Sequence, residues 1–258
     1  VDKRHAEWER TTILHNTIED NDENAIHAVA NNALITLNVI DGDSSNMAIL
    51  LVDSKSSSIT NNTIEGGEHG IKVQNSTNVL VYNNTIKDNS GHGVYLLLGS
   101  HSGNVKYNTV KSNEDDAISI QSSDSVEVIG NTITDNNGYG ILAGSSKLVE
   151  FKSNTLKEND GGVKYVDCDY CNLSSMTIVD NGGRGIWFSS GSNNNYIKHT
   201  NSSDSSLKDV YLQDSKHNTA FNFTFSTISV NSNSTLTITS NLEIVFHARD
   251  GDGFQGID

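Results

Sequence analysis

Apolar and polar residues alternate along most of this chain in short runs, the pattern of β-strands with one buried face. A small residue, an apolar residue, an unrestricted residue and a second apolar residue follow one another, and this unit recurs about every 23 residues. Nine copies in succession predict nine equivalent in–out–in strands. The small residues that mark them are Ala25, Ala48, Gly70, Gly93, Ala117, Gly140, Gly162 and Gly185, with Asp209 in the last place.

A second marker, Asn-Thr followed by Ile, Leu or Val, runs with the same period. It begins at Asn16, Asn62, Asn84, Asn108, Asn131 and Asn154, and Asn38 and Met176 fill the remaining places. The unit is too short for helical repeats, which need about 33 residues or more. The spacing therefore predicts an all-β fold, a right-handed single-stranded parallel β-helix of about ten coils with three short strands each.

The Asn residues of this marker should lie at the corners of the coils. There each amide can bond the amides of the coils above and below it, as in an Asn ladder. We expect a second Asn column through Asn89, Asn113 and Asn136. The absence of proline fits a chain made almost entirely of paired strands, since proline removes a ladder donor.

The repeat predicts the domain organisation. We expect the β-helix to occupy residues 1–215 and residues 216–246 to form its last coil or a C-terminal cap. Residues 247–258 resemble the start of an immunoglobulin-like module that is cut short. The chain is accordingly interpreted as a monomeric piece of a longer protein.

Composition restricts the partners. The chain of 258 residues has a net charge of −15, which disfavours binding to nucleic acid or anionic membranes. No apolar run approaches the about 18 residues of a membrane-spanning helix. An acidic, Asn- and Ser-rich repeat protein is expected outside the cell or at its surface.

The copies NTIKDNSGHGVYL at residues 84–96 and NTITDNNGYGILA at residues 131–143 resemble the parallel β-helix repeat of carbohydrate-binding and sugar-hydrolysis domains. A periplasmic protein of nitrous oxide reductase maturation shares the repeat. GHG at residues 91–93 and DDAISI at residues 115–120 resemble two polygalacturonase motifs, but in reversed order and without the family's other motifs. The resemblance implies the fold and a role with sugars, and we do not transfer the catalytic residues.

One outward column carries groups that exchange protons near neutral pH. The position before the small residue is His69, His92, Asp116 and Tyr139 in four successive coils, with Asp115 beside them. We interpret these five as candidate catalytic residues, with His92 as a base that Asp116 orients. The alternative is a set of polar turn residues without chemistry.

The same residues suggest metal sites. His69, His92 and Asp116 can supply imidazole and carboxylate ligands for a transition metal, including copper by analogy with the maturation protein. Glu114, Asp115 and Asp116 can supply oxygen ligands for calcium, which would assist lyase chemistry on uronic acids. We expect no obligatory cofactor, with calcium as the candidate ion.

Aromatic and basic residues supply a candidate sugar surface. Trp187 and Tyr211 occupy outward positions in adjacent coils, where aromatic faces can stack on sugars. A second possibility is that a loop or cap covers them. The candidate substrate-binding residues are Trp187, Tyr211, Arg184, Tyr95, Lys208 and Lys111.

Cys168 and Cys171 form a single Cys-X-X-Cys unit. No second ligand pair follows at zinc-finger spacing. Either a local disulfide or two buried thiols accounts for them.

These features predict a secreted or cell-surface β-helix that contacts polysaccharide along an outward groove and, if it is an enzyme, acts as a lyase or glycoside hydrolase. The rival hypothesis is a structural spacer or adhesin segment.

Overall fold

The computed structural model describes residues 11–239, which form one continuous parallel β-solenoid. Three sheets of 11, 10 and 10 strands run along it, and each strand pairs in parallel with its equivalents in the coils before and after. The predicted parallel β-helix of about ten coils with three strands each is confirmed. The described residues form no helix, and hence none long and apolar enough to cross a membrane.

The first sheet holds the strands that precede the Asn-Thr marker. Their middle residues, such as Ile59 and Val81, point inward and are buried. The strands are β1 (Thr12–Leu14), β4 (Leu34–Thr36), β7 (Ser58–Thr60), β10 (Leu80–Tyr82), β13 (Asn104–Lys106), β16 (Glu127–Ile129), β19 (Glu150–Lys152), β22 (Asn172–Ser174), β25 (Tyr196–Lys198), β28 (Asn218–Phe221) and β31 (Leu236–Thr239).

The second sheet holds the marker itself, after a sharp corner at which one residue per coil, such as Asn83, has a positive φ. Its strands are β2 (Thr17–Ile18), β5 (Val39–Asp41), β8 (Thr63–Glu65), β11 (Thr85–Lys87), β14 (Thr109–Lys111), β17 (Thr132–Thr134), β20 (Thr155–Lys157), β23 (Thr177–Val179), β26 (Asn201–Ser203) and β29 (Thr224–Phe225).

The third sheet holds the strands that follow the small-residue marker. Two inward residues per strand alternate with one outward residue, as the sequence predicts. Its strands are β3 (Ile26–Ala28), β6 (Ile49–Val52), β9 (Ile71–Gln74), β12 (Val94–Leu97), β15 (Ile118–Gln121), β18 (Tyr139–Gly144), β21 (Gly161–Val166), β24 (Ile186–Ser189), β27 (Val210–Leu212) and β30 (Ile228–Val230).

Inward side chains stack on their equivalents and form one core along the axis. Most of its members are fully shielded from water, and the burial of each large aliphatic side chain stabilises the fold by about 1.5–3 kcal/mol. In the middle coils the core is aromatic. Tyr165 stacks between Phe151 and Phe188, with ring centroids 5.3 and 4.9 Å apart.

Both predicted Asn ladders are present. In the first, the Asn131 side-chain oxygen accepts the backbone N–H and the amide of Asn108 at 2.8 and 3.0 Å. The ladder ends where Met176 replaces Asn. The second runs from Asn89 to Asn181 with the same bonds. These amides fix the spacing of neighbouring coils on the second sheet's two borders.

A third ladder, made of buried serines, follows the third sheet and was not predicted. The backbone N–H of Ser54 donates to the Ser76 hydroxyl at 2.9 Å, and later coils repeat the bond. Cys168 occupies one place in this ladder, and its N–H donates to Ser192. Cys168 and Cys171 are buried free thiols, so of the two alternatives the structure shows the thiols.

The solenoid continues beyond residue 215 as far as the chain is described. Strands β28 to β31 extend all three sheets, so residues 218–239 continue the stacked turns of the solenoid. Asp209 replaces the small marker here, and its buried carboxylate accepts the backbone N–H groups of Ser226 and Thr227 at 2.8 and 2.7 Å. The predicted module at 247–258, like residues 240–246, lies outside the described residues.

Candidate functional site

The candidate site lies on the outward face of the third sheet and is built from two neighbouring columns of side chains. The strand column consists of the outward residues of the strands, and its register is fixed by backbone pairing between coils. The corner column consists of the residues just before the small markers. The strand column reads Lys72, Tyr95, Ser119, Leu142, Lys164, Trp187 and Tyr211, and the corner column reads His69, His92, Asp116, Tyr139, Gly161, Arg184 and Lys208.

His69 supports the next coil. Its Nδ1 accepts the backbone N–H of His92 at 2.9 Å, and the two imidazole rings stack with centroids 5.1 Å apart. Burial, together with the charges of His92 and Lys72, lowers the pKa of His69 to about 4. His69 is therefore neutral near pH 7, which suits its role as an acceptor.

Other corner residues do the same for the coil that follows them. Asn24 Oδ1 accepts the N–H of Met47 at 2.9 Å, and Asp116 Oδ1 accepts the N–H of Tyr139 at 2.8 Å. A polar corner residue thus has a structural task, whatever its chemistry. This contact explains part of the clustering that the sequence shows.

His92 does not accept a backbone N–H of the next coil in this way. The backbone N–H of Asp116, which the pattern assigns to His92, donates instead to Asp115 Oδ1 at 2.8 Å. His92 Nδ1 is buried. Because Asp115 accepts this N–H, Nδ1 has no hydrogen-bond partner among residues 11–239. It lies 3.5 Å from Asp115 Oδ2 and 3.8 Å from Asp116 Oδ2.

Burial sets the charge of this group. It lowers the pKa of His92, against the opposing effect of the Asp115 charge, and it raises the pKa of Asp116 to about 7. A neutral imidazole therefore faces a carboxyl group that is close to its titration point at neutral pH. Such a pair can exchange a proton.

Tyr95 and Lys72 complete this end of the face. The Tyr95 ring meets the rings of His69 and His92 edge-on, with centroids 5.3 and 4.7 Å apart. The Lys72 ammonium lies 5.8 Å from the centre of the Tyr95 ring, and burial raises the pKa of Tyr95. We call the following residues the histidine cluster: His69, Lys72, His92, Tyr95, Asp115 and Asp116.

Three of the predicted metal ligands lie together. Ligand atoms of His92, Asp115 and Asp116 all lie within 4.8 Å of one another and could hold a metal ion. Glu114, from the predicted calcium set, lies apart from them. Its exposed carboxylate accepts the Asn137 amide at 2.7 Å. Calcium binding stays a prediction.

Cations and aromatic rings alternate at the other end of the face. The Lys164 ammonium lies 4.1 Å from the Trp187 ring centre and 5.2 Å from that of Tyr139. The Arg184 guanidinium lies 4.3 Å from the centre of Trp187 and 4.4 Å from that of Tyr211. We call these five residues the cation–aromatic ladder.

Tyr139 reaches this ladder across one coil. The corner residue in the next coil is Gly161, and a Cβ atom there would lie 2.4 Å from the Tyr139 ring. Because Gly161 has no side chain, the ring covers it and comes within 6.2 Å of Trp187, measured between centroids. Tyr139 thereby belongs to the ladder and not to the histidine cluster.

Two other predicted residues lie outside both the histidine cluster and the cation–aromatic ladder. Lys111 is exposed on the second sheet, where it pairs in register with Lys87 and Thr134, so the structure does not bring it to this face. Lys208 is half-buried at the corner one coil beyond Arg184.

Sequence reasoning missed Lys72 and Lys164, although both occupy the outward column that it defined. The signal was a lysine followed one coil later by an aromatic residue in that column, Lys72 before Tyr95 and Lys164 before Trp187.

The sequence matches the right-handed β-helix region over residues 4–156 and again over residues 142–254. The chain belongs to the right-handed β-helix family. Among curated proteins, none matches the sequence of this β-helix.

Solved structures similar to this β-helix include two enzymes. The A-module of the Azotobacter vinelandii mannuronan C-5 epimerase AlgE6 superposes with a TM-score of 0.69 at 12% identity, covering 91% of this chain and 80% of the module. The periplasmic alginate epimerase AlgG gives a TM-score of 0.53 at 16% identity, covering 82% of this chain and 46% of the enzyme.

The Dettilon tailspike protein is a third similar structure, with a TM-score of 0.63 at 12% identity. The match covers 90% of this β-helix and 60% of the tailspike chain. At these identities the likeness establishes a shared fold.

Proposed function

We propose that this β-helix is an exported enzyme that binds an acidic polysaccharide along the third-sheet face and removes the proton on the carbon next to a uronic acid carboxylate. The observation that carries the proposal is that His92 Nδ1 does not accept the backbone N–H of the next coil. Asp115 takes over the backbone bond, and the His92 imidazole is left neutral beside two carboxyl groups. A corner residue with a purely structural role would accept this N–H itself.

In this proposal, residues of the histidine cluster have different roles in proton removal. Asp115 and Asp116, near Nδ1, orient the His92 ring, and Nε2 is the basic nitrogen that takes the proton. Lys72 supplies positive charge beside Tyr95 and stabilises the negative charge that develops on the substrate carboxylate. The electron pair left on carbon then has two possible fates. It expels the neighbouring glycosidic oxygen, which takes a proton from solvent and leaves as an alcohol, so the chain is cleaved. Alternatively, the carbon takes a proton from solvent on its opposite face, which gives the epimer.

Two observations favour this reaction over glycoside hydrolysis. A glycosidase needs two carboxyl groups on opposite sides of the scissile bond. Here Asp115 and Asp116 both approach the same nitrogen of His92. Similar folds also include epimerases of mannuronan and alginate, one of them periplasmic, which supports both the substrate class and export.

The proposal is tested with polyuronates of defined composition, including mannuronan and polygalacturonate, in deuterated water. Proton removal without cleavage incorporates deuterium at the carbon next to the carboxylate, which proton NMR detects. Cleavage adds the ultraviolet absorbance of an unsaturated chain end. We expect His92→Gln to lower either rate by about 100-fold or more.

His27 provides a matched control, since it is an exposed histidine at an outward position of the same sheet, in strand β3. His27→Gln should leave the rate unchanged. The proposal fails if no polyuronate exchanges or is cleaved, which would favour the structural spacer, or if His92→Gln retains full activity. Loss of activity on chelation, restored by one divalent ion, would instead assign His92, Asp115 and Asp116 to a metal.

A further inference from the structure

We infer that the cation–aromatic ladder binds further carboxylate-bearing sugar units of the same polymer, on one side only of the unit that reacts. The identity of the polymer rests on the proposed function. The ladder itself rests on separate observations of charge, unpaired donors and position.

The two cations of the ladder form no direct ion pair with a carboxylate of the described chain. Lys87, Lys106 and Lys157 each lie within salt-bridge distance of a carboxylate. Between residues 11 and 239, no carboxylate lies within 4.0 Å of the Lys164 or Arg184 nitrogens, in a protein with a net charge of −15. These two cations therefore remain available to an anion.

Two aromatic rings flank the Arg184 guanidinium at an angle to each other. Its central carbon lies 4.3 Å from the Trp187 ring centre and 4.4 Å from that of Tyr211, and the two ring centres are 6.1 Å apart. A guanidinium in contact with aromatic rings keeps N–H donors that a carboxylate can accept. Arg184 Nε and Trp187 Nε1 are both buried without an acceptor in the described residues. A carboxylate with neighbouring hydroxyl groups supplies acceptors of the kind that these donors lack.

Position makes the binding one-sided. Backbone pairing places Lys164 three coils from Tyr95 and Tyr211 five coils from it, which is roughly 14 and 24 Å at about 4.8 Å per coil. In the other direction the strand column continues through Lys72 to Leu50, without aromatic residues. A polymer lying along the axis would therefore be held by several units beyond one side of the histidine cluster.

Binding can be measured without turnover through the fluorescence of Trp187, in a Trp8→Phe background that removes the second tryptophan. The probes are oligouronates of increasing length, the same oligomers with carboxyl groups reduced to alcohols, and sulfated neutral oligomers. We expect affinity to rise with length until the ladder is filled. Carboxyl reduction, or Arg184→Gln with Lys164→Gln, should weaken binding about tenfold or more.

Lys157→Gln is the matched control, because Lys157 lies in the same coil as Lys164 but on the second sheet and is ion-paired with Glu158. It should change affinity less than twofold. Equal binding of reduced or sulfated oligomers, or equal weakening by Lys157→Gln, would overturn the inference. Arg184→Lys, which keeps the charge, together with the melting temperatures, separates loss of binding from loss of folding.

Failure of the two proposals can be told apart. If the ladder variants bind normally while polyuronates still exchange deuterium, the ladder inference is wrong and the proposed function stands. If oligouronates bind through the ladder but no exchange or cleavage occurs, the protein binds polyuronate without catalysis.

Discussion

Removal of the Asp115 side chain should inactivate the protein while His92 remains present. In the Asp115→Ala variant the Asp116 N–H loses its acceptor at 2.8 Å. An unsatisfied buried N–H costs about 1–3 kcal/mol, and this cost favours a new hydrogen bond from the Asp116 N–H to His92 Nδ1. His69 Nδ1 already makes the equivalent bond at 2.9 Å in the preceding coil. We therefore expect His92 to be drawn into the same stacking role.

The expected magnitudes follow from this exchange of partners. One hydrogen bond replaces another, so the free energy of unfolding should fall by only about 1 kcal/mol in urea titrations. Turnover should fall by about 100-fold or more, because the imidazole is no longer oriented by the two carboxyl groups. Nitrogen NMR of labelled histidine should show Nδ1 of His92 changing into a hydrogen-bonded acceptor that resembles Nδ1 of His69.

Asp115→Asn is the matched variant. Its side-chain oxygen can still accept the Asp116 N–H, so His92 should remain free and more activity should survive than in Asp115→Ala. The reasoning is refuted if Asp115→Ala keeps wild-type turnover. It is also refuted if that variant loses about 3 kcal/mol of stability while the Nδ1 signal of His92 does not move.

Three further predictions concern the ladders and the pH dependence. Asn131→Ala removes the acceptor of two bonds and should cost about 2–4 kcal/mol in urea unfolding, whereas exposed Asn137→Ala should cost less than about 0.5. Gly161→Ala should displace the ring above it and raise KM for long oligouronates with little change in kcat. Burial raises the pKa of Asp116 to about 7, so the folded state holds this proton longer than the unfolded state does. Its contribution to stability should therefore be lost as pH rises from about 4 to about 7, and Asp116→Asn should remove that slope. His69, with its pKa lowered to about 4, contributes stability that should be lost as pH falls from 6.5 towards 4, and Asp116→Asn, which keeps His69, should show this opposing slope alone.

The sequence predicts the fold because two markers that share one period are enough to define the register of the coils. Coils that differ by no more than a residue or two in length bring equivalent residues together, so His69, His92 and Asp116 had to lie in one column. The serine ladder was also within reach, since Ser76, Ser100 and several equivalents recur with the same spacing. It was missed because serine is abundant throughout the chain.

Side-chain partners within a column could not be predicted in the same way. His69 and His92 are both followed by glycine and look alike in sequence, yet one accepts a backbone N–H and the other does not. The difference arises in the next coil, where Asp115 competes for the bond. Tyr139 likewise leaves the histidine cluster because of Gly161, a residue of another coil. Such choices depend on the residues that precede and face each corner.

The Asn and Ser ladders stabilise the fold at corners that the site does not use, which explains how the fold tolerates the site. The Asn and Ser ladders satisfy buried backbone groups along the borders of the sheets, and none of them uses a residue of the histidine cluster. The third-sheet face can therefore hold a buried carboxyl group and an unpaired imidazole nitrogen, both of which oppose folding. Stability maintained at one set of corners thus permits reactive groups at another. For that reason, Asp116→Asn, which keeps a side-chain oxygen to accept the Tyr139 N–H, should increase the free energy of unfolding at neutral pH while it removes activity.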